Sequence, residues 1–348
     1  MRFLDYPSII RFAWADFDSS RPIDHIEDIS ARVSTNHVFR VTLEGGDRVI
    51  AKLSYFGKFE HFKEDHRLIH TLANNLLYPF ENVLAKSLVK NNQVYVYRHR
   101  QEEEDIDVWV VFYNPIRVAE KLPRRLDEHH IRRLGSEIAR FHMACSRVST
   151  VMPKSSKTLR SDIQDLLALL DTETGRYEHR MNIEALRKQC NAFLENRRTI
   201  VEGAVETIPV FLDWNIGNFS VTKELELFSR WDYDWFRISY RVMDFYFFSR
   251  VCSDAGDRTV FSYLINPLAE ERFGWFLEEY HKVYPLTRRE VLFLPEAYRF
   301  FILNYVIKYG RYFFHRTYAT KLQSEAYHTY FPSIEHFSVE PILERLKL

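Results

Sequence analysis

Strand-like alternation dominates the first third of the chain. Over residues 37–43 (HVFRVTL), Phe39, Val41 and Leu43 fall on one face, which is the period of a half-buried strand. Glu44-Gly45-Gly46-Asp47 has the composition of a hairpin turn, and 48–53 (RVIAKL) is the predicted return strand. The period then lengthens. Phe62, Leu68, Ile69, Leu72, Leu76 and Leu77 recur at helical spacing across 59–77. Residues 83–89 and 93–99, on either side of Asn91-Asn92, read as strands. Residues 107–113 (DVWVVFY) form a strongly apolar strand that Asn114-Pro115 ends.

Beyond residue 115 the pattern is mostly helical. Residues 126–146 place Ile131, Leu134, Ile138, Phe141 and Cys145 on one stripe. Further helices are predicted near 159–171, 182–202, 240–252, 268–284 and 288–319. Residues 209–212 read as a short strand, and 219–221 with 225–231 as a hairpin. A small sheet with one helix, followed by a helical region with a central hairpin, predicts a two-lobed α+β protein. The predicted lobes are residues 1–115 and 116–348.

Composition narrows the function. The 348 residues carry 48 Lys plus Arg against 48 Asp plus Glu, a balance unlike that of a dedicated nucleic-acid binder. Three scattered cysteines exclude a disulfide scaffold and a paired-cysteine zinc site. Charges interrupt the first apolar stretch, so no signal peptide is expected, and no apolar run is long enough to span a membrane. A cytoplasmic protein without membrane or nucleic-acid partners is the expectation. Glycine is scarce, at 10 residues. Neither a P-loop, a Rossmann fingerprint nor a nucleophile elbow is present.

The candidate chemistry centres on 210–221 (VFLDWNIGNFSV) and the hairpin after it. Asp213 follows a short apolar strand, Asn218 comes five residues later, and Asp232 closes the hairpin. Phosphoryl transfer from ATP needs this set. One carboxylate orients the attacking hydroxyl, while an amide oxygen and a second carboxylate hold a hard divalent cation on the phosphates.

These residues resemble the catalytic segment of the aminoglycoside phosphotransferase and choline kinase superfamily, written H-G-D-x-x-x-x-N and then I-D-[WFY]. The matches here are Asp213, Asn218 and Trp231-Asp232-Tyr233. The family's helix before that loop matches 134–142 (LGSEIARFH), and its later anchoring Asp matches Met243-Asp244-Phe245. Its first hairpin matches 34–41 (STNHVFRV), and its phosphate-binding lysine matches Lys52. The resemblance covers about residues 30–250. It implies a protein-kinase-like fold and an ATP- and Mg2+-dependent phosphotransferase that acts on the hydroxyl of a small molecule. The acceptor would be an amino alcohol, sugar, amino acid or aminoglycoside. By resemblance, Asp213 is the catalytic carboxylate, and Asn218 and Asp232 are the metal ligands. Ser34, Thr35, Asn36 and Lys52 contact nucleotide, with Glu64 orienting the lysine and Asp65 and Glu60 within reach of it. Phe112, Tyr113 and Asn114 form the adenine hinge. Asp234, Trp235 and Tyr240 are acceptor-site candidates, a carboxylate with aromatic walls suiting a cationic amine. Phe211-Leu212 stands where the family writes His-Gly. That departure keeps open a second reading, a nucleotide-binding protein with little or no phosphotransfer.

Overall fold

A helix absent from the predicted set opens the chain. In the computed structural model, which describes residues 4–30, 37–55, 57–102, 106–255 and 262–348, α1 runs Tyr6–Phe17. Asp5 caps it by accepting from the Ser8 amide, and Ile9, Ile10, Ala13 and Trp14 form its buried stripe. The strands that follow are β1 (Ile23–Asp28), β2 (His37–Leu43) and β3 (Arg48–Ser54), and then comes α2 (Phe59–Asn75). A two-residue pair, β4 (Val89–Lys90) and β5 (Gln93–Val94), leads into β6 (Val96–Gln101) and β7 (Ile106–Tyr113). Five of these strands form one antiparallel sheet in the order β1-β2-β3-β7-β6.

β1 carries no two-residue alternation in its sequence, IDHIED. A register shift between Ile23 and His25 explains why. The bulge lets Ile23 and Ile26, three apart, both pack against the core that α1 covers. That smaller core contains Phe39, Val41, Leu53, Val110 and Phe112. The opposite face of the sheet, with Trp109, Val111 and Tyr113, joins α2 in a larger core that continues into the rest of the molecule. β7 is therefore buried on both faces, which is why its sequence is apolar without alternation.

The larger lobe begins with α3 (Glu128–Ser149), α4 (Leu159–Asp171), α5 (Glu173–His179) and α6 (Ile183–Ile200). Four short strands follow: β8 (Ile208–Val210), β9 (Phe219–Val221), β10 (Leu227–Arg230) and β11 (Arg237–Ser239). β9 pairs with β10, and β8 with β11, both antiparallel. Then come α7 (Phe245–Cys252) and α8 (Glu271–Val283). At Gly135 an added Cβ would stand 2.4 Å from the Phe276 carbonyl, so only glycine lets α3 approach α8 this closely.

The single helix expected over 288–319 is broken. It becomes α9 (Arg288–Leu292), α10 (Leu294–Phe301), a wider π-type stretch over Ile302–Lys308 and shorter helices beyond. Pro295 at the start of α10 ends the preceding helix. Residues 83–89, expected as a strand, touch the sheets only through single bridges at Leu84 and Ser87 before β4 starts at Val89. Among the described residues, no helix is long and apolar enough to cross a membrane.

Trp14 locks α1 to the sheet: its ring meets Phe112 edge-on at 5.1 Å, and its Nε1 donates to the Arg21 carbonyl at 2.6 Å. Trp14→Ala should cost about 3–5 kcal/mol in denaturant unfolding. A loss below about 1 kcal/mol would mean that α1 is not part of the cooperative fold.

Candidate active site

The loop after β8 is shaped by one buried carboxylate. Asp244 Oδ1 accepts from the backbone amides of Phe211 and Leu212, at 3.0 and 2.7 Å. Its Oδ2 lies 3.0 Å from His142 Nε2, and His142 Nδ1 lies 2.7 Å from the Tyr280 hydroxyl. Leu212 is held at φ +58°, a left-handed conformation that disfavours a branched side chain. The turn leaves Asp213 half-buried, its Oδ1 accepting from the Asn215 amide at 3.3 Å and from the Asn215 side chain.

Arg230, at the end of β10, ties this loop to the hairpin. Its side chain is fully buried. Nη2 donates to the Asp213 carbonyl at 2.8 Å, and Nη1 to the carbonyls of Asn218, at 3.1 Å, and Trp231. The guanidinium lies over the rings of Phe211 and Trp214, at 5.2 and 5.0 Å. Burial draws its pKa below the ordinary value, with Asp213 and Asp232 opposing that. Phe211 also packs on Phe141, Tyr233 and Phe236. Packing and a stacked cation thus brace the loop at the position where the resembling family writes histidine. Sequence reading missed Arg230. Its signal was a lone arginine inside an apolar hairpin strand.

Lys52, on the cleft face of β3 opposite Val111, meets the far side of this hairpin. Its Nζ is 3.0 Å from Asp232 Oδ1 and also bonds Asp234 Oδ1. Burial works against the ammonium, but the two carboxylates outweigh it and raise its pKa. Burial alone would raise the Asp232 carboxyl, yet Lys52 and Arg230 bring it below the usual range. Asp234 is pushed up to about 6, by burial first and then by Asp232. Asp232 itself sits at φ +69°. Asn218 donates from Nδ2 to the Asp213 carbonyl at 3.3 Å, which leaves its Oδ1 to coordinate a cation. Among the described residues no group of three acidic, His or Cys side chains gathers as a metal cage. Two oxygen donors, Asn218 and Asp232, suit a Mg2+-like ion whose other positions are filled by water and phosphate.

Other expectations need correction. Glu64 does not pair with Lys52; its carboxylate accepts from the Ser156 amide at 2.8 Å and from the Ser156 hydroxyl. The inward stripe of α2 carries Phe62, Asp65, His66 and Ile69, and Glu64, one residue off it, turns about 100° away. Asp65 is on that stripe but is bonded to Lys157, from the connection between α3 and α4. Phe112 points away from the cleft into the smaller core, and its carbonyl accepts from the Leu88 amide at 2.8 Å. The exposed Asn114 spends its amide on the Lys86 carbonyl at 2.9 Å. Tyr113 does sit on the cleft face, its hydroxyl 2.5 Å from His66 Nε2. Asp234 and Trp235 line one cavity. Tyr240 lies apart from them, edge-on to Phe293 at 5.4 Å. Ser34, Thr35 and Asn36 fall outside the described residues.

Compared by sequence, no protein-family model and no curated protein matches the chain. Solved structures do match it by shape. An amicoumacin kinase in complex with AMP-PNP, Ca2+ and Ami is 12% identical, with 97% of each chain covered and a TM-score of 0.61. A microcompartment-associated aminopropanol kinase is 14% identical, with 92% of this chain and 94% of that one covered and a TM-score of 0.58. An ethanolamine kinase from Plasmodium vivax is 12% identical, with 93% and 89% covered and a TM-score of 0.58. The chain has the two-lobed, protein-kinase-like fold that these proteins share.

Asp65 offers a test of the cleft's electrostatics. Burial pushes its carboxyl up to about 6, against the pull of Lys157. A folded value above the ordinary one favours the fold at low pH, and that contribution is lost as pH rises from about 4 through about 6. Asp65→Asn should therefore flatten the pH dependence of Tm over that window. An unchanged slope would mean that the Asp65 carboxyl keeps its ordinary pKa in the fold.

Proposed function

We propose that this chain, which shares the fold of amicoumacin, aminopropanol and ethanolamine kinases, is an ATP- and Mg2+-dependent phosphotransferase acting on the hydroxyl of a small molecule. One observation carries this reading. Lys52 and Asp232, 180 residues apart, meet at 3.0 Å across the cleft, beside a loop that holds Asp213 and Asn218 in order. A chain under no demand for this chemistry has no reason to bury a lysine against two carboxylates.

The residues divide the work. Lys52 neutralises phosphate charge from the sheet side of the cleft. Asn218 and Asp232 would hold the divalent ion, which supplies charge neutralisation at the phosphates. Asp213, half-exposed and fixed at its backbone by Arg230, orients the acceptor hydroxyl and takes its proton. Asp244 and Arg230 position that loop and touch no reactant. The Lys52–Asp232–Asp234 cluster sets the resting state, and arriving phosphates compete with the carboxylates for the ammonium. Residues 1–115 supply the lysine and hinge side of the cleft, and 116–348 supply the catalytic loop and acceptor side. The backbone support from Asp244 and the stacking of Arg230 on Phe211 favour this over the reading without phosphotransfer, because the loop is braced without His-Gly.

Asp213→Asn should lower kcat about 10²–10⁴-fold with little change in nucleotide affinity. Normal turnover in that variant would remove Asp213 from the mechanism. Mg2+-ATP at 100 times its Kd should stabilise the wild type by about 2.7 kcal/mol in thermal melts, and Asp232→Ala should abolish the Mg2+-dependent part. A shift that survives in Asp232→Ala would place the metal elsewhere.

A further inference from the structure

Beside Asp234 the cleft continues into a cavity between α2, α4, the residues before β11 and the π-type stretch, with a volume of about 60 Å³. Three carboxylates line it, and each already has its cation. Asp65 is bonded to Lys157. Asp162 takes Arg237 at 2.7 Å and Lys308 at 3.3 Å. Asp234 takes Lys52. No acid is left over to attract an ammonium group, contrary to the expectation that a carboxylate with aromatic walls selects a cationic amine.

What the cavity does have spare is neutral hydrogen-bonding capacity of both kinds. Asn304 is 1% exposed, and neither its Oδ1 nor its Nδ2 has a hydrogen-bond partner. Asp65 Oδ1 and Arg237 Nε, on residues 7% and 2% exposed, are likewise unpartnered. An unpaired buried amide is costly. The wide π winding over Ile302–Lys308, of a kind frequent at functional sites, carries both Asn304 and Lys308. Leu212, next to the catalytic carboxylate, shares a second small cavity with Asn304, Trp235 and Tyr305. Asn304 thus stands between Asp213 and the polar cavity, and Trp235 forms the apolar wall of both.

We propose that this cavity is the acceptor site and that it takes a small uncharged polyhydroxy compound, a polyol or simple sugar, held by Asn304, Arg237 and Asp65 with its carbon face on Trp235. A hydroxyl both donates and accepts, so it satisfies this mixed set where an ammonium group, a pure donor, does not. The small volume also disfavours an antibiotic-sized acceptor. The assignment rests on the phosphotransferase reading above.

The test is calorimetry on the full chain with AMP-PNP and Mg2+ present. Glycerol, erythritol and ribose represent neutral polyols, ethanolamine an amino alcohol, and kanamycin a polycation. Nucleotide binding, read separately in the same samples, reports on the phosphotransferase reading alone. The expected result is binding from the neutral set only, weakened at least about tenfold in Asn304→Leu, with AMP-PNP affinity kept as evidence of folding. In Asn304→Asp, which adds an uncompensated carboxylate, preference should shift toward ethanolamine. Three results would overturn the proposal: binding by ethanolamine or kanamycin alone, neutral binding untouched in both Asn304 variants, or no binding by any probe while AMP-PNP binds normally. Should AMP-PNP itself fail to bind, the phosphotransferase reading falls and this assignment with it.

Discussion

A buried guanidinium organises the cleft. Arg230 has no carboxylate bonded to it; it spends its donors on the main-chain carbonyls of Asp213, Asn218 and Trp231. Those carbonyls belong to the three segments that must converge for the chemistry: the catalytic turn, the amide that would hold the metal, and the entrance to Asp232. Because the bonds are to backbone, they fix where each segment lies without consuming the side chains that act. The stacking of the same group on Phe211 and Trp214 offsets part of the cost of desolvating a cation. Asp244 does the complementary task from the other side, holding two amides where Arg230 holds carbonyls.

The placement of Lys52 follows from the same economy of charge. A buried ammonium needs a counter-charge, and the helix that packs over the sheet does not supply one. α2 turns Asp65 inward but gives it to Lys157, and Glu64 caps the turn at Ser156. Lys52 therefore draws both of its partners, Asp232 and Asp234, from the larger lobe. The two lobes are joined by ion pairs at two places, Lys52 with the hairpin and Asp65 with the α3–α4 connection. In the proposed mechanism the first is exchanged for phosphate while the second stays.

Much of the fold was legible because its signals are local. The hairpin at 37–53, the helices over 59–75 and 159–171 and the apolar strand at 107–113 each declare themselves by period and by turn residues. α1 carried its signal too, in Asp5 and the spacing of Ile9, Ala13 and Trp14, but it sat within a stretch weighed only as a leader. β1 concealed its period behind a bulge. The helix expected over 288–319 kept its apolar stripe while its backbone was broken and rewound, since periodicity reports which faces are buried and says little about where a helix changes pitch.

At the site, the sequence by itself determined which chemical groups are present and in what order, because Asp213, Asn218, Asp232 and Lys52 are set by spacing along the chain and by the strands that carry them. Only the tertiary structure decided the pairings. Whether Lys52 meets Glu64 or Asp234, whether Tyr240 reaches the cleft, and whether the acids beside Trp235 are free or neutralised all depend on contacts between elements far apart in sequence. A charge's partner is a property of three-dimensional packing: one step along α2 turns a side chain about 100°, enough to move an acid from one cation to another.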